Sequence, residues 1–104
     1  MKQKLVTKQV EKDLLKAPLY STDGQKDKKV IVKFFTPWTS WTWYVFEAEK
    51  MENGDWTFFG MVSNEYGDEM GYFTLSELQS IKGSFGLSVE RDIYVRNEPY
   101  KKGL

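Results

Sequence analysis

The chain of 104 residues contains neither cysteine nor histidine. Without thiols there is no disulfide framework and no thiolate metal site. Without imidazole the commonest general base and the commonest metal ligand are both missing. A zinc centre nearly always draws on one of those residue types, and a nucleophile activated by histidine cannot be assembled. No apolar run approaches the length of a membrane-spanning helix. The opening residues, MKQKLVTKQVEKDLLK, are charged and lack the apolar centre of a signal peptide. The cytoplasm is therefore the expected location. A phosphate-binding loop is also missing: Gly83-Ser84-Phe85-Gly86 is too short and no Lys-Ser/Thr follows it, so it reads as a turn.

What is present points to one compact domain spanning residues 1–104. Aromatic residues make up 16% of the chain, which supplies a packed core despite a mean hydropathy of −0.56. The formal charge is zero but unevenly distributed. Residues 1–29 carry eight lysines against four acids, and residues 44–78 carry eight acids against Lys50 alone. Such asymmetry can steer a partner. The plainer alternative is that acidic loops keep an aromatic-rich domain in solution.

The pattern along the chain predicts alternating elements. Val10, Leu14 and Leu15 fall on one helical face, with Thr7 as its cap and Pro18 as its stop. Residues 20–29 read as a polar loop with an Asp23-Gly24 turn. Residues 29–35, KVIVKFF, and 41–51, WTWYVFEAEKM, read as strands. In the second, Trp41, Trp43, Val45 and Glu47 should share one face, opposite Thr42, Tyr44, Phe46 and Ala48. Asn53-Gly54 signals a hairpin returning through residues 56–63. Residues 64–71, NEYGDEMG, read as an acidic loop. Thr74 and Glu77 fit a capping box, Leu75, Leu78 and Ile81 form the buried stripe of a second helix, and Gly83 should cap its end. Residues 85–95 read as one bent strand or two short ones, and the tail from Asn97 should fray. The expected fold class is α+β: an antiparallel sheet of about four to five strands with two helices packed on it.

KFFTPWTSWTWY, GYFTLSEL and GLSVERDIYV together resemble the hallmark segments of a domain-of-unknown-function family of small proteins. That family is carried by bacterial plasmids, integrative elements and phages. The similarity covers roughly residues 30–95. It implies no reaction. It implies a setting, an accessory protein of a mobile element, and by analogy a protein that binds and blocks host machinery such as a defence nuclease of the restriction or CRISPR type.

Seven of the thirteen residues from Phe34 to Phe46 are aromatic. Such rings are core material first, but a strand cannot bury both faces unless both are covered. Trp38, Trp41 and Trp43 are therefore candidate partner-binding residues. Glu65, Asp68 and Glu69 flank Tyr66 in an acidic stretch that lacks the ligand spacing of a calcium loop. They read as a solvated loop or as an acidic surface for a basic partner. Glu90 and Asp92 interrupt an apolar strand around Arg91, giving a conceivable carboxylate pair, an edge-strand charge device or an ion pair of Arg91. The lysines at positions 2, 4, 8, 12, 16, 26, 28, 29 and 33 lie near stacking rings, the ingredients of single-strand binding, although few arginines and no net positive charge accompany them.

Taken together, these features suggest a non-enzymatic interaction protein with no cofactor and no metal. It docks Trp38, Trp41, Trp43 and Tyr66, rimmed by Glu65, Asp68 and Glu69, onto a host or element-encoded protein. The alternative is a nucleic-acid-binding accessory protein for plasmid transfer or replication, using Lys28, Lys29, Lys33 and Trp38. Lysines and exposed rings on a single face would favour it. A homodimer built on the same patch is open as well.

Overall fold

The computed structural model describes residues 3–104. Five strands form one antiparallel sheet in the order β4-β3-β2-β1-β5. They are β1 (Lys29–Phe35), β2 (Thr42–Lys50), β3 (Trp56–Asn64), β4 (Gly67–Thr74) and β5 (Glu90–Pro99). Helix α1 (Lys8–Leu15) precedes the sheet, and helix α2 (Leu75–Ser80) joins β4 to the segment leading into β5.

The helices begin where their capping residues stand. The Thr7 side chain accepts from the Val10 amide at 3.2 Å, and Thr74 accepts from the Glu77 amide at 3.1 Å. The Glu77 carboxylate takes the Thr74 hydroxyl, a variant of the expected box. Gly83 does not cap α2. The helix ends at Ile81, whose amide reaches back to the Leu78 carbonyl.

One face of the sheet carries the main core. Leu14 of α1 and Leu78 of α2 share a buried cluster with Val32, Phe34, Trp43, Val45, Trp56, Phe58 and Phe73. The opposite face carries a smaller cluster of Val30, Tyr44, Phe46 and Val95, against which Met61, Tyr100 and Leu104 pack. Two aromatic strand faces therefore find two covers. The second cover is the tail: Tyr100 meets Tyr44 at 5.2 Å and Phe46 at 5.4 Å, both edge-on. The segment expected to fray is strand to Pro99 and then a lid on aromatic rings, because Tyr44 and Phe46 would otherwise face water.

Two irregularities depart from simple alternation. The β2–β3 register shifts between Val45 and Glu47, a bulge that puts Ala48 in the main core with Trp43 and Val45. Gly60 lies opposite Val45 there, and a Cβ on it would sit 1.7 Å from the Tyr44 carbonyl oxygen; only glycine fits. The predicted grouping of Glu47 with Trp41 and Trp43 fails at this bulge. Glu47 is 2% exposed and accepts from the amides of Tyr20 at 2.7 Å and Thr22 at 3.0 Å, and from the Thr22 hydroxyl. It tethers the polar loop to the sheet. Finally, the strand expected over residues 85–95 begins only at Glu90, after a 3-10 turn at Ser84–Gly86, and β5 has a large irregularity: Phe34 pairs with Arg91 and Val32 with Arg96, so one residue of β1 faces four of β5.

Residues 64–71 are not a loop. Asn64 pairs directly with Gly67, which leaves Glu65 and Tyr66 as a two-residue turn; Gly67 takes φ +131 there. Pairing then runs unbroken from Ser63–Asp68 to Thr57–Thr74. Gly, Asp and Glu have low strand propensity, but β3 supplies the template and β4 forms an outer edge.

Candidate functional site

One end of the sheet gathers segments that are far apart in sequence. Phe35 pairs with Thr42 and Glu90, Thr42 with Ser63, and Ser63 with Asp68. Beyond that row lie the β1–β2 connection (36–41), the β3–β4 turn (65–66) and the approach to β5. The Ser40 hydroxyl donates to Glu65, tying the first two together, and this hydrogen bond holds the Glu65 carboxyl below the usual carboxylate range.

An open groove of about 390 Å³ lies at this end, with Trp41, Val62, Gly67, Glu69, Met70 and Gly71 among its lining. Its floor is Val62 and two glycines because α2 covers only the other half of the hairpin. Trp41 is 39% exposed, and its ring lies 5.8 Å from that of Trp43. Tyr66 is 90% exposed and also lines the groove, as does Asp68, which accepts from Ser63 at 2.6 Å. Among the described residues the ion pairs are Lys33–Asp92, Lys50–Glu11 and Arg96–Asp13. Glu65, Asp68 and Glu69 take part in none of them. Among the described residues, no three acids stand together in a way that could hold a metal ion.

Of the predicted binding residues, Trp41, Tyr66 and Glu69 are thus brought into one groove, with Glu65 at its rim; Asp68 borders it through the strand, but its carboxylate, held by the Ser63 hydroxyl, lies on the opposite face of the sheet. Trp43 is not part of the surface. It is 6% exposed and belongs to the main core; it shares a face with Trp41 but stands within β2, where neighbouring core residues cover it, whereas Trp41 lies just before the strand. Trp38 is half-buried, and a Cβ on Gly83 would lie 2.6 Å from its ring, so the indole closes over that glycine. Sequence reasoning missed Val62, Gly67, Met70 and Gly71, because reading 64–71 as a loop hid the pleat that aligns them. Gly71 standing two residues before Phe73 was the available signal.

The nucleic-acid candidates are not brought together. Lys28 donates to the Thr22 carbonyl at 2.7 Å. Lys33 donates to the Leu104 carbonyl at 2.7 Å and lies 3.5 Å from Asp92. Lys29 is exposed at the Pro99 end of β1, the far end from Phe35 and Trp38, about 20 Å away at strand rise. Lys2 lies outside the described residues. Glu90 and Asp92 line a shallow groove on the β5 edge, but Asp92 already holds Lys33 and accepts from the Tyr94 amide. Among the described residues Arg91 pairs with no acid. Its guanidinium donates to the Lys4 and Leu5 carbonyls and fastens the N-terminal segment to β5.

No helix among the described residues is long and apolar enough to cross a membrane. A family model described as "Protein of unknown function (DUF2958)" matches residues 5–99. No curated protein and no solved structure matches the chain.

Proposed function

The chain belongs to the DUF2958 family of proteins of unknown function, so its role has to be read from its own surface, and we propose that it is a non-enzymatic docking protein whose contact surface is the Trp41–Tyr66 groove. One observation carries this reading. Trp41, Tyr66 and Glu69 meet at one open groove, Glu65 is tied to its rim through Ser40, and neither acid forms an ion pair among the described residues. Exposed aromatic rings provide most of the energy at protein interfaces, and fixed charges select the partner and speed its approach. Carboxylates beside a tryptophan face suit lysine and arginine, whose stems lie on the ring while their charges reach the acids. The partner is accordingly a protein with a basic surface. The mobile-element setting suggested by the hallmark segments makes a nucleic-acid-handling enzyme of host defence our choice, with the acids standing where it would hold phosphates; that choice of target rests on analogy.

The test is affinity capture from nuclease-treated bacterial lysate with wild type and a Trp41→Ala/Tyr66→Ala variant, both verified as folded. A protein retained by wild type and absent from the variant supports the reading. Identical captures by both would overturn it. Retention of nucleic acid that rising salt strips away would point to the accessory nucleic-acid role instead.

A further inference from the structure

β4 is an outer strand with one neighbour. Asn64 and Gly67 close a two-residue turn, and alternation from that hydrogen-bonded pair turns the amides and carbonyls of Asp68, Met70 and Tyr72 away from β3. Native sheets usually blunt such an edge with proline, a bulge or charged side chains; here the charges are Asp68 and Glu69, which repel an acidic strand and attract a basic one. β4 has no proline, and its register with β3 is unbroken. Two of its residues, Gly67 and Gly71, would meet nothing within 4 Å if they carried a Cβ. Glycine inside a strand often marks a place where another backbone comes close.

The two faces of this edge differ. Glu69 and Gly71 share the pleat of Phe73, on the groove side with Trp41. Met70 and Tyr72 lie on the other face, 39% and 57% exposed, where the Tyr72 ring meets Phe59 at 4.9 Å. Asp68 belongs to that second face too, where the Ser63 hydroxyl donates to it, so an added strand would meet Glu69 and Trp41 on one side and, beyond Asp68 at the turn, the mainly apolar Met70 and Tyr72 on the other. A second copy of β4 suits this poorly, because it would bring two further carboxylates to an edge that already carries unpaired acids.

We propose that β4 is the site of strand addition for an extended basic segment of a partner protein, with alternate lysines or arginines toward Glu69 and Trp41 and the intervening apolar residues toward Met70 and Tyr72. This rests on the docking reading above and states its mode. Main-chain hydrogen bonds would provide affinity, and the two faces would provide specificity.

Three synthetic peptides of the length of β4 test it against the intact protein. One alternates Lys and Val, one carries Pro at a central Val, and one carries Glu in place of Lys. The Lys–Val peptide should bind, quench Trp41 and slow amide exchange at Met70 and Tyr72 about tenfold or more. The proline peptide, which keeps the charge but cannot complete the ladder, should bind about tenfold more weakly. The Glu peptide should not bind, and Glu69→Lys should abolish binding of the first. Equal binding of the Lys–Val and proline peptides overturns strand addition and leaves charge-driven docking standing. If the Lys–Val peptide does not bind, or binds Glu69→Lys as well as wild type, strand addition fails and so does the acidic groove. Gly71→Val provides a check that keeps the strand: a side chain there has open space and fills the groove beside Trp41, so it should weaken the peptide without lowering the melting temperature.

Discussion

The β3–β4 hairpin has two ends that share strands, register and face but not their fate. At the α2 end, Trp56, Phe58 and Phe73 are buried under Leu78. There Asp55 accepts from the Ser76 amide and hydroxyl, which fixes the helix over the rings and holds the Asp55 carboxyl below its usual range. At the turn end, the same face presents Trp41, Val62 and Glu69 to solvent. The boundary is the Gly60–Gly71 pair. A helix of six residues spans about 9 Å, which cannot roof a hairpin of eight paired rows. Apolar surface left uncovered on a small domain commonly marks an interaction site, and in the docking role proposed above the acids around it would select the partner.

The contrast is broken most severely at the covered end. Phe58→Ala should cost about 3–5 kcal/mol, since the ring is fully buried and contacts Phe34 and Phe73; urea titration should read this as a lower midpoint with unchanged slope. Gly60→Ala should also be severe, about 2–4 kcal/mol, because its Cβ would collide with backbone at the bulge.

Between the extremes stands Asp13. It is 4% exposed and bonded to Arg96 at 2.8 Å, and that hydrogen bond is the main reason its carboxyl sits below its usual range. A folded-state pKa below the unfolded value of about 3.9 means stability that is full above that value and lost as pH falls through the folded pKa. Asp13→Asn should therefore cost about 1–3 kcal/mol at neutral pH and flatten the acid limb of the stability curve. Thermal unfolding of both proteins between neutral pH and acid checks the slope.

The smallest structural effects belong to the open end. Trp41→Ala/Tyr66→Ala should change stability by about 1 kcal/mol or less, while Glu69→Lys should be close to neutral for folding. A melting temperature lowered by the double variant as much as by Phe58→Ala would mean that the groove is core after all.

Much of the fold was legible in residue patterns. Thr7 and Thr74 announced the helices, and Asn53-Gly54 with the flanking β-rich runs announced the β2–β3 hairpin. β4 was not legible, because Gly67, Asp68, Glu69 and Gly71 favour loops locally and become strand only through pairing with β3. Ala48 and Glu47 were misplaced by a bulge that no local signal marks. Tyr100 and Leu104 looked like a tail because their partners, Tyr44 and Phe46, lie more than fifty residues away. The site was half legible: the acids and Tyr66 were visible as a cluster and Trp41 as an aromatic, but only the sheet register shows that they meet, and only burial separates Trp41 from Trp43.

The most direct measurement is site-specific photo-crosslinking in bacterial cells, with benzoylphenylalanine placed at Tyr66 or, on the opposite sheet edge, at Ile93, which is 62% exposed. A discrete adduct with one protein at position 66, absent at position 93 and lost with Glu69→Lys, is the predicted result. Adducts at 93 with none at 66 would contradict the account.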